Sequence, residues 1–144
     1  MSAEARPLPA VLVTHGRVGQ ALVDAAEAIV GPLAGVSVLS NDGLSRTALV
    51  ERLRECLRGF DARGGLLLVD VAGGSCAQAA LAVAAREAPG PCPILTGVNL
   101  PVVLDFALHR ADLTAPDLAE RLRGKGQAGV TILAVPHADP GRGT

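Results

Sequence analysis

Aromatic side chains are almost missing: the 144 residues hold two Phe, no Trp and no Tyr. That scarcity excludes base-stacking platforms and the aromatic cages that hold sugars or quaternary amines, and it leaves an aliphatic core. No excess of charge stands out either. Lys and Arg number 13 against 14 Asp and Glu, a formal net charge of −1, and no basic run offers an electrostatic grip on nucleic acid. The longest apolar stretches, such as 64–69 and 79–85, fall far below the roughly 20 residues that span a bilayer, so no membrane insertion is expected. No cationic start with a long apolar centre and a cleavage site opens the chain, which points to no secretory signal. The three cysteines, Cys56, Cys76 and Cys92, lack CxxC or zinc-finger spacing. A disulfide framework is not implied, and reduced thiols in a cytoplasm are the expectation. Neither a GxxxxGK[ST] loop nor a GxGxxG fingerprint occurs, so nucleotide binding has no sequence support. The histidines have no HExxH spacing, and no metal and no cofactor are expected.

What is present is 49% hydrophobic residues, enough for one domain over 1–144. Short aliphatic runs alternate with stretches of helical period, the pattern of a parallel sheet with crossover helices. Strands are expected at Ala10–Thr14, Val36–Leu39, Gly65–Val71, Pro93–Val98 and Val130–Val135. Helices are expected from Val18 to Gly31, from a Ser45 cap to near Gly59, over Ala77–Ala85, over Leu100–His109, and over Pro116–Leu122 with Thr114 as cap. The tail from His137 to Thr144 is expected to be loose.

In an open parallel sheet, ligands bind beyond the carboxyl ends of the strands where successive connections diverge. With strand one central, the loops leaving strands one and three face each other, and they carry His15 and Asp70. Thr14-His15-Gly16 puts an imidazole at a strand end. Asp70 closes an apolar run and needs hydrogen-bond partners there. Two partners are open to it: the amides of Gly73, Gly74 or Ser75, and the Nδ1 proton of His15, which would free the Nε2 lone pair for attack. Gly73-Gly74-Ser75 opens a helix whose unpaired amides and hydroxyl suit an anion. Cys76 reads as a small packing residue, and His109 and His137 read as non-catalytic.

Thr14-His15-Gly16, Val69-Asp70 through Gly73-Gly74-Ser75, and Gly97-Val98-Asn99-Leu100-Pro101 together resemble the mannose-family enzyme IIA component of the bacterial phosphoenolpyruvate-dependent sugar phosphotransferase system. The three motifs fall in the family's order, and the element order accounts for about 130 residues. The resemblance implies a flavodoxin-like α/β fold, with an open, mainly parallel sheet of order about 2-1-3-4 and helices on both faces. A last antiparallel edge strand, Val130–Val135, would be exchanged in a homodimer. It implies that His15 takes a phosphoryl group on Nε2 from the phosphocarrier HPr and passes it to a separate IIB component, or that its phosphorylation serves as a regulatory signal. Asp70 would orient the ring. Gly73, Gly74 and Ser75 would bind the phosphoryl oxygens, and Thr14, Gly16, Asn99 and Leu100 would wall the site. The chain departs from the family pattern where it carries Cys76 in place of the usual proline, and Gln78 where asparagine is usual. The competing expectation is a non-catalytic regulatory or interaction module on the same scaffold.

Overall fold

Two runs, Ala10–Thr14 (β1) and Leu66–Val69 (β3), are buried at every position, as strands covered on both faces must be. In the computed structural model, which describes residues 6–137, they form the centre of a four-stranded sheet. Val36–Ser40 (β2) pairs with β1, and Ile94–Leu95 (β4) pairs with β3. All pairs are parallel and the order is β2-β1-β3-β4.

Side chains alternate across a strand, so one sheet builds two cores. Ala10, Leu12, Leu66 and Leu68 face one way and pack with helices α1 (Val18–Val30), α4 (Leu100–His109) and α5 (Ala115–Ala128). Val11, Val13, Leu67 and Val69 face the other way and pack with α2 (Arg46–Leu57) and α3 (Ser75–Glu87). Each fully buried Leu or Val contributes about 1.5–3 kcal/mol. The helices begin where the sequence supplies caps. Ser45 Oγ accepts from the Ala48 amide at 3.1 Å, Asn99 Oδ1 from Val102 at 3.0 Å, and Thr114 Oγ1 from Asp117 at 3.3 Å. Each such cap is worth about 1 kcal/mol.

This layering places the switch point. The chain leaves β1 toward α1 on one face and leaves the neighbouring β3 toward α3 on the other, so a crevice opens between the two exits.

One expected element is absent. Val130–Val135 forms no strand in the described chain, and the sheet holds no antiparallel member. Its side chains stand in solvent: Val130 is 80% exposed and Ile132 is 99% exposed. The segment has strand-forming composition, but a strand exists only when its amides and carbonyls find a partner, and here it meets none. Of the tail, only His137 lies within the described residues.

Candidate functional site

Parallel register sets Val13 beside Val69, so the residues that follow leave adjacent strand ends. Thr14 is fully buried, and its Oγ1 accepts from the Gly19 amide at 2.8 Å. Its hydroxyl therefore anchors the start of α1 beneath the site. His15 comes next, with its side chain 42% exposed, and Gly16 is half-buried at the turn.

Asp70, with its side chain only 12% exposed, holds His15 at two levels. Its Oδ2 accepts from the His15 backbone amide at 2.9 Å, and both its oxygens lie 3.0–3.1 Å from His15 Nδ1. Oδ1 also accepts from the Val71 amide at 3.0 Å. Of the two partners open to Asp70 from sequence, the histidine is the one used. Among the described residues its carboxylate takes hydrogen bonds from His15 and Val71 and none from the amides of Gly73, Gly74 or Ser75. Burial pushes the Asp70 carboxyl upward, but the His15 amide, the Nδ1 hydrogen bond, the histidine charge and the Val71 amide outweigh it and hold the group below its ordinary value. An ionised Asp70 accepts only, so it keeps the ring proton on Nδ1 and leaves Nε2 with the lone pair.

That nitrogen faces the glycine turn. A Cβ added to Gly74 would stand 3.7 Å from His15 Nε2, and Gly74 has φ +96°, in the left-handed region that glycine enters without strain. Gly74 is the N-cap of α3 and offers no side-chain bond to it. The first α3 amide with a helical partner is that of Gln78, which donates to Gly74 O at 3.1 Å. The amides of Ser75, Cys76 and Ala77 precede it at the positive end of the helix, the part of a helix that suits an anion. Gly73 is exposed and Ser75 half-buried in the same turn.

The loop after β4 runs alongside, because the Val98 amide donates to Val69 O at 3.1 Å. Asn99, however, spends its side chain on the scaffold. Its Oδ1 caps α4, and its Nδ2 donates to Gly126 O at 3.1 Å, tying α4 to α5. Asn99 also lines a groove of about 480 Å³ beside β4, with Leu95, Thr96, Val102 and Gln127. Leu100 is half-buried against the core. Away from the crevice, His109 Nε2 lies 3.6 Å from Asp105, which also accepts from Arg121 at 2.8 Å, and His137 is exposed.

Sequence reading missed the surroundings of Cys76. Its sulfur, an Asp70 oxygen and a His15 ring nitrogen lie within 4.8 Å of one another. Burial and the Asp70 charge push the Cys76 thiol up, against a smaller opposing hydrogen bond from Ser75. Cys76 follows directly on the Gly-Gly-Ser turn, which was the available signal, but no spacing reveals a contact with residues on two other loops.

A carboxylate-braced imidazole in front of free helix amides can carry an anionic group on Nε2. Comparison with known proteins identifies the family. The family model for the PTS system fructose IIA component, EIIA-man, matches residues 10–123. No curated protein matches the chain. Among solved structures, the phosphotransferase system component EIIA from Streptococcus agalactiae aligns with a TM-score of 0.80 at 20% identity, covering 87% of this chain and 96% of that one. The mannose/sorbose-specific IIA subunit of the phosphotransferase system from Enterococcus faecalis aligns with a TM-score of 0.79 at 24% identity, covering 93% and 100%. The PTS IIA protein associated with the fucose utilization operon of Streptococcus pneumoniae gives 0.77 at 17% identity, covering 90% and 96%. Those likenesses bear on the fold, whereas the family match spans most of the sequence, and by it the chain belongs to the mannose-type IIA family of the phosphoenolpyruvate-dependent sugar phosphotransferase system.

Proposed function

We propose that this chain is a histidine phosphocarrier, in which His15 Nε2 accepts a phosphoryl group from phospho-HPr and passes it to a IIB component or presents it as a regulatory signal. The observation that carries this reading is the double grip of Asp70 on the His15 amide and Nδ1, with Nε2 left toward the Gly73-Gly74-Ser75 turn. In the transfer, the donor's P–N bond breaks as the P–Nε2 bond forms, and the Nδ1 proton stays on the ring against Asp70. Phosphoryl transfer through a loose, in-line transition state needs positioning and charge stabilisation rather than covalent help. Asp70 supplies the positioning and balances the positive charge that builds on the ring. The α3 amides and Ser75 receive the phosphoryl oxygens.

Residues around His15 favour a protein partner: Val18 and Val71 flank it at 44% and 51% exposure. The reading includes a homodimer in which 130–135 pairs with the neighbouring copy, supported by the exposed apolar side chains of that segment and the open edge of β4. A cytoplasmic location is part of the same reading.

The test is incubation with phosphoenolpyruvate, enzyme I and HPr. An acid-labile, base-stable phosphate should appear in the wild type and vanish in His15→Ala. Absence of any incorporation, together with partner binding unchanged in His15→Ala, would instead favour the non-catalytic module.

A further inference from the structure

Phosphoryl transfer leaves one group at the site without a task. Cys76 is fully buried in the first turn of α3, yet its sulfur converges with a His15 nitrogen and an Asp70 oxygen, all within 4.8 Å. Three separate segments, the exits of β1 and β3 and the start of α3, thus bring an imidazole, a carboxylate and a thiol to one point. Those are three of the donor types that zinc takes. Among the described residues no other trio of His, Cys, Asp or Glu converges in this way.

The charges also match. One carboxylate and one thiolate with a neutral imidazole balance a divalent cation, so the complex is neutral in a half-covered site. Tetrahedral zinc would hold its donors ~3.2–3.8 Å apart, so the trio has to close by about 1 Å at its widest, within reach of side-chain rotation. Solvent reaches the point over the His15 ring, which is 42% exposed.

We propose that His15, Asp70 and Cys76 form an inhibitory site for a divalent cation of the zinc class, with water in the fourth position. On binding, the metal–N, metal–O and metal–S bonds form, the hydrated cation sheds water, and the Cys76 thiol proton passes to solvent. No oxidation state changes. The inhibition follows from the ring itself. A neutral imidazole has one nitrogen with a free lone pair, and when the cation takes it the other nitrogen holds the proton. Whichever nitrogen is metallated, none is left to attack phosphorus. The blocked transfer rests on the phosphocarrier reading above, whereas the metal site does not.

Cobalt(II) serves as the probe on the full chain. A thiolate-to-cobalt charge-transfer band should saturate at one equivalent, be displaced by zinc, and persist in Cys56→Ala/Cys92→Ala. Cys76→Ala should lose the band and bind cobalt more weakly. Phosphoryl acceptance is then measured with and without zinc, each protein against its own rate in chelator. The wild type should lose acceptance with zinc and Cys76→Ala should keep it. No band, or a band that survives Cys76→Ala, overturns the site. A saturated band with undiminished acceptance overturns the inhibition. A band in a chain that takes no phosphoryl group even in chelator supports the site and contradicts the phosphocarrier reading instead.

Discussion

Replacing Asp70 with asparagine removes one charge and almost no volume, and the structure says what that costs. Three donors converge on the carboxylate: the His15 amide at 2.9 Å, His15 Nδ1 at 3.0–3.1 Å and the Val71 amide at 3.0 Å. An amide has a single acceptor oxygen, so its NH2 must meet at least one of these sites. The ring can adapt where a backbone amide cannot. Its proton moves to Nε2, and Nδ1 accepts from the asparagine. That tautomer has no lone pair facing the Gly74 turn. Loss of one hydrogen bond to a charged group is worth about 1.5–3 kcal/mol, so phosphoryl acceptance from phospho-HPr should fall by about 10- to 150-fold. Initial rates of label transfer measure it, and nitrogen-15 spectra of the ring report the tautomer. Wild-type rates in Asp70→Asn, with the Nδ1–H tautomer retained, would refute the reasoning.

Acid should unfold the protein partly through the same residue. The Asp70 carboxyl is held below its ordinary value in the folded chain, so its contribution is complete above about 3.9 and is lost as pH falls through the lower folded value. Chemical denaturation between roughly pH 5 and pH 2 should show that loss in the wild type and a shallower one in Asp70→Asn. Gly74→Ala should force a side chain into a positive-φ conformation (φ +96°, ψ −172°) at a cost of about 1–3 kcal/mol and set a methyl group 3.7 Å from Nε2, where the phosphoryl group must sit. Its label transfer should be lost while the chain stays folded by circular dichroism. Thr14→Val keeps shape but leaves the buried Gly19 amide without its 2.8 Å acceptor, which should cost about 1–3 kcal/mol and lower Tm by roughly 3–10 °C. An unchanged melting curve would remove Thr14 from the scaffold.

Much of this architecture was legible from residue pattern. β1 and α4 fall at Ala10–Thr14 and Leu100–His109, as the residue pattern requires. The misreadings have physical causes. α5, expected over Pro116–Leu122, begins at Ala115 and continues to Ala128 through Gly124 and Gly126. Gly126 is there for close packing: a Cβ on it would come within 2.8 Å of Val102 Cγ2, and its carbonyl takes the Asn99 amide. β4 shrinks to Ile94–Leu95, since it borrows its hydrogen bonds from β3 along one side only. Val130–Val135 forms no strand within the single chain, because composition describes a strand's preference and not its partner. Arg110, next to His109 at the end of α4, is only 7% exposed, with Nη2 donating to Ala34 O at 2.6 Å and the guanidinium 5.4 Å from the Phe106 centroid. At the site, the switch-point rule identified both His15 and Asp70. It could not show that Asp70 also takes the His15 main-chain amide, or that the Cys76 sulfur lies within 4.8 Å of donor atoms of both, because these placements depend on loop conformation rather than on strand order.

The central claim is that the braced imidazole offers Nε2 and no other atom. Nitrogen-15 and phosphorus-31 spectra of the full chain after incubation with phosphoenolpyruvate, enzyme I and HPr test it most directly. A single phosphoryl group coupled to His15 Nε2, with the proton retained on Nδ1, is the predicted result. A phosphoryl group on Nδ1, on another side chain, or on none would contradict it.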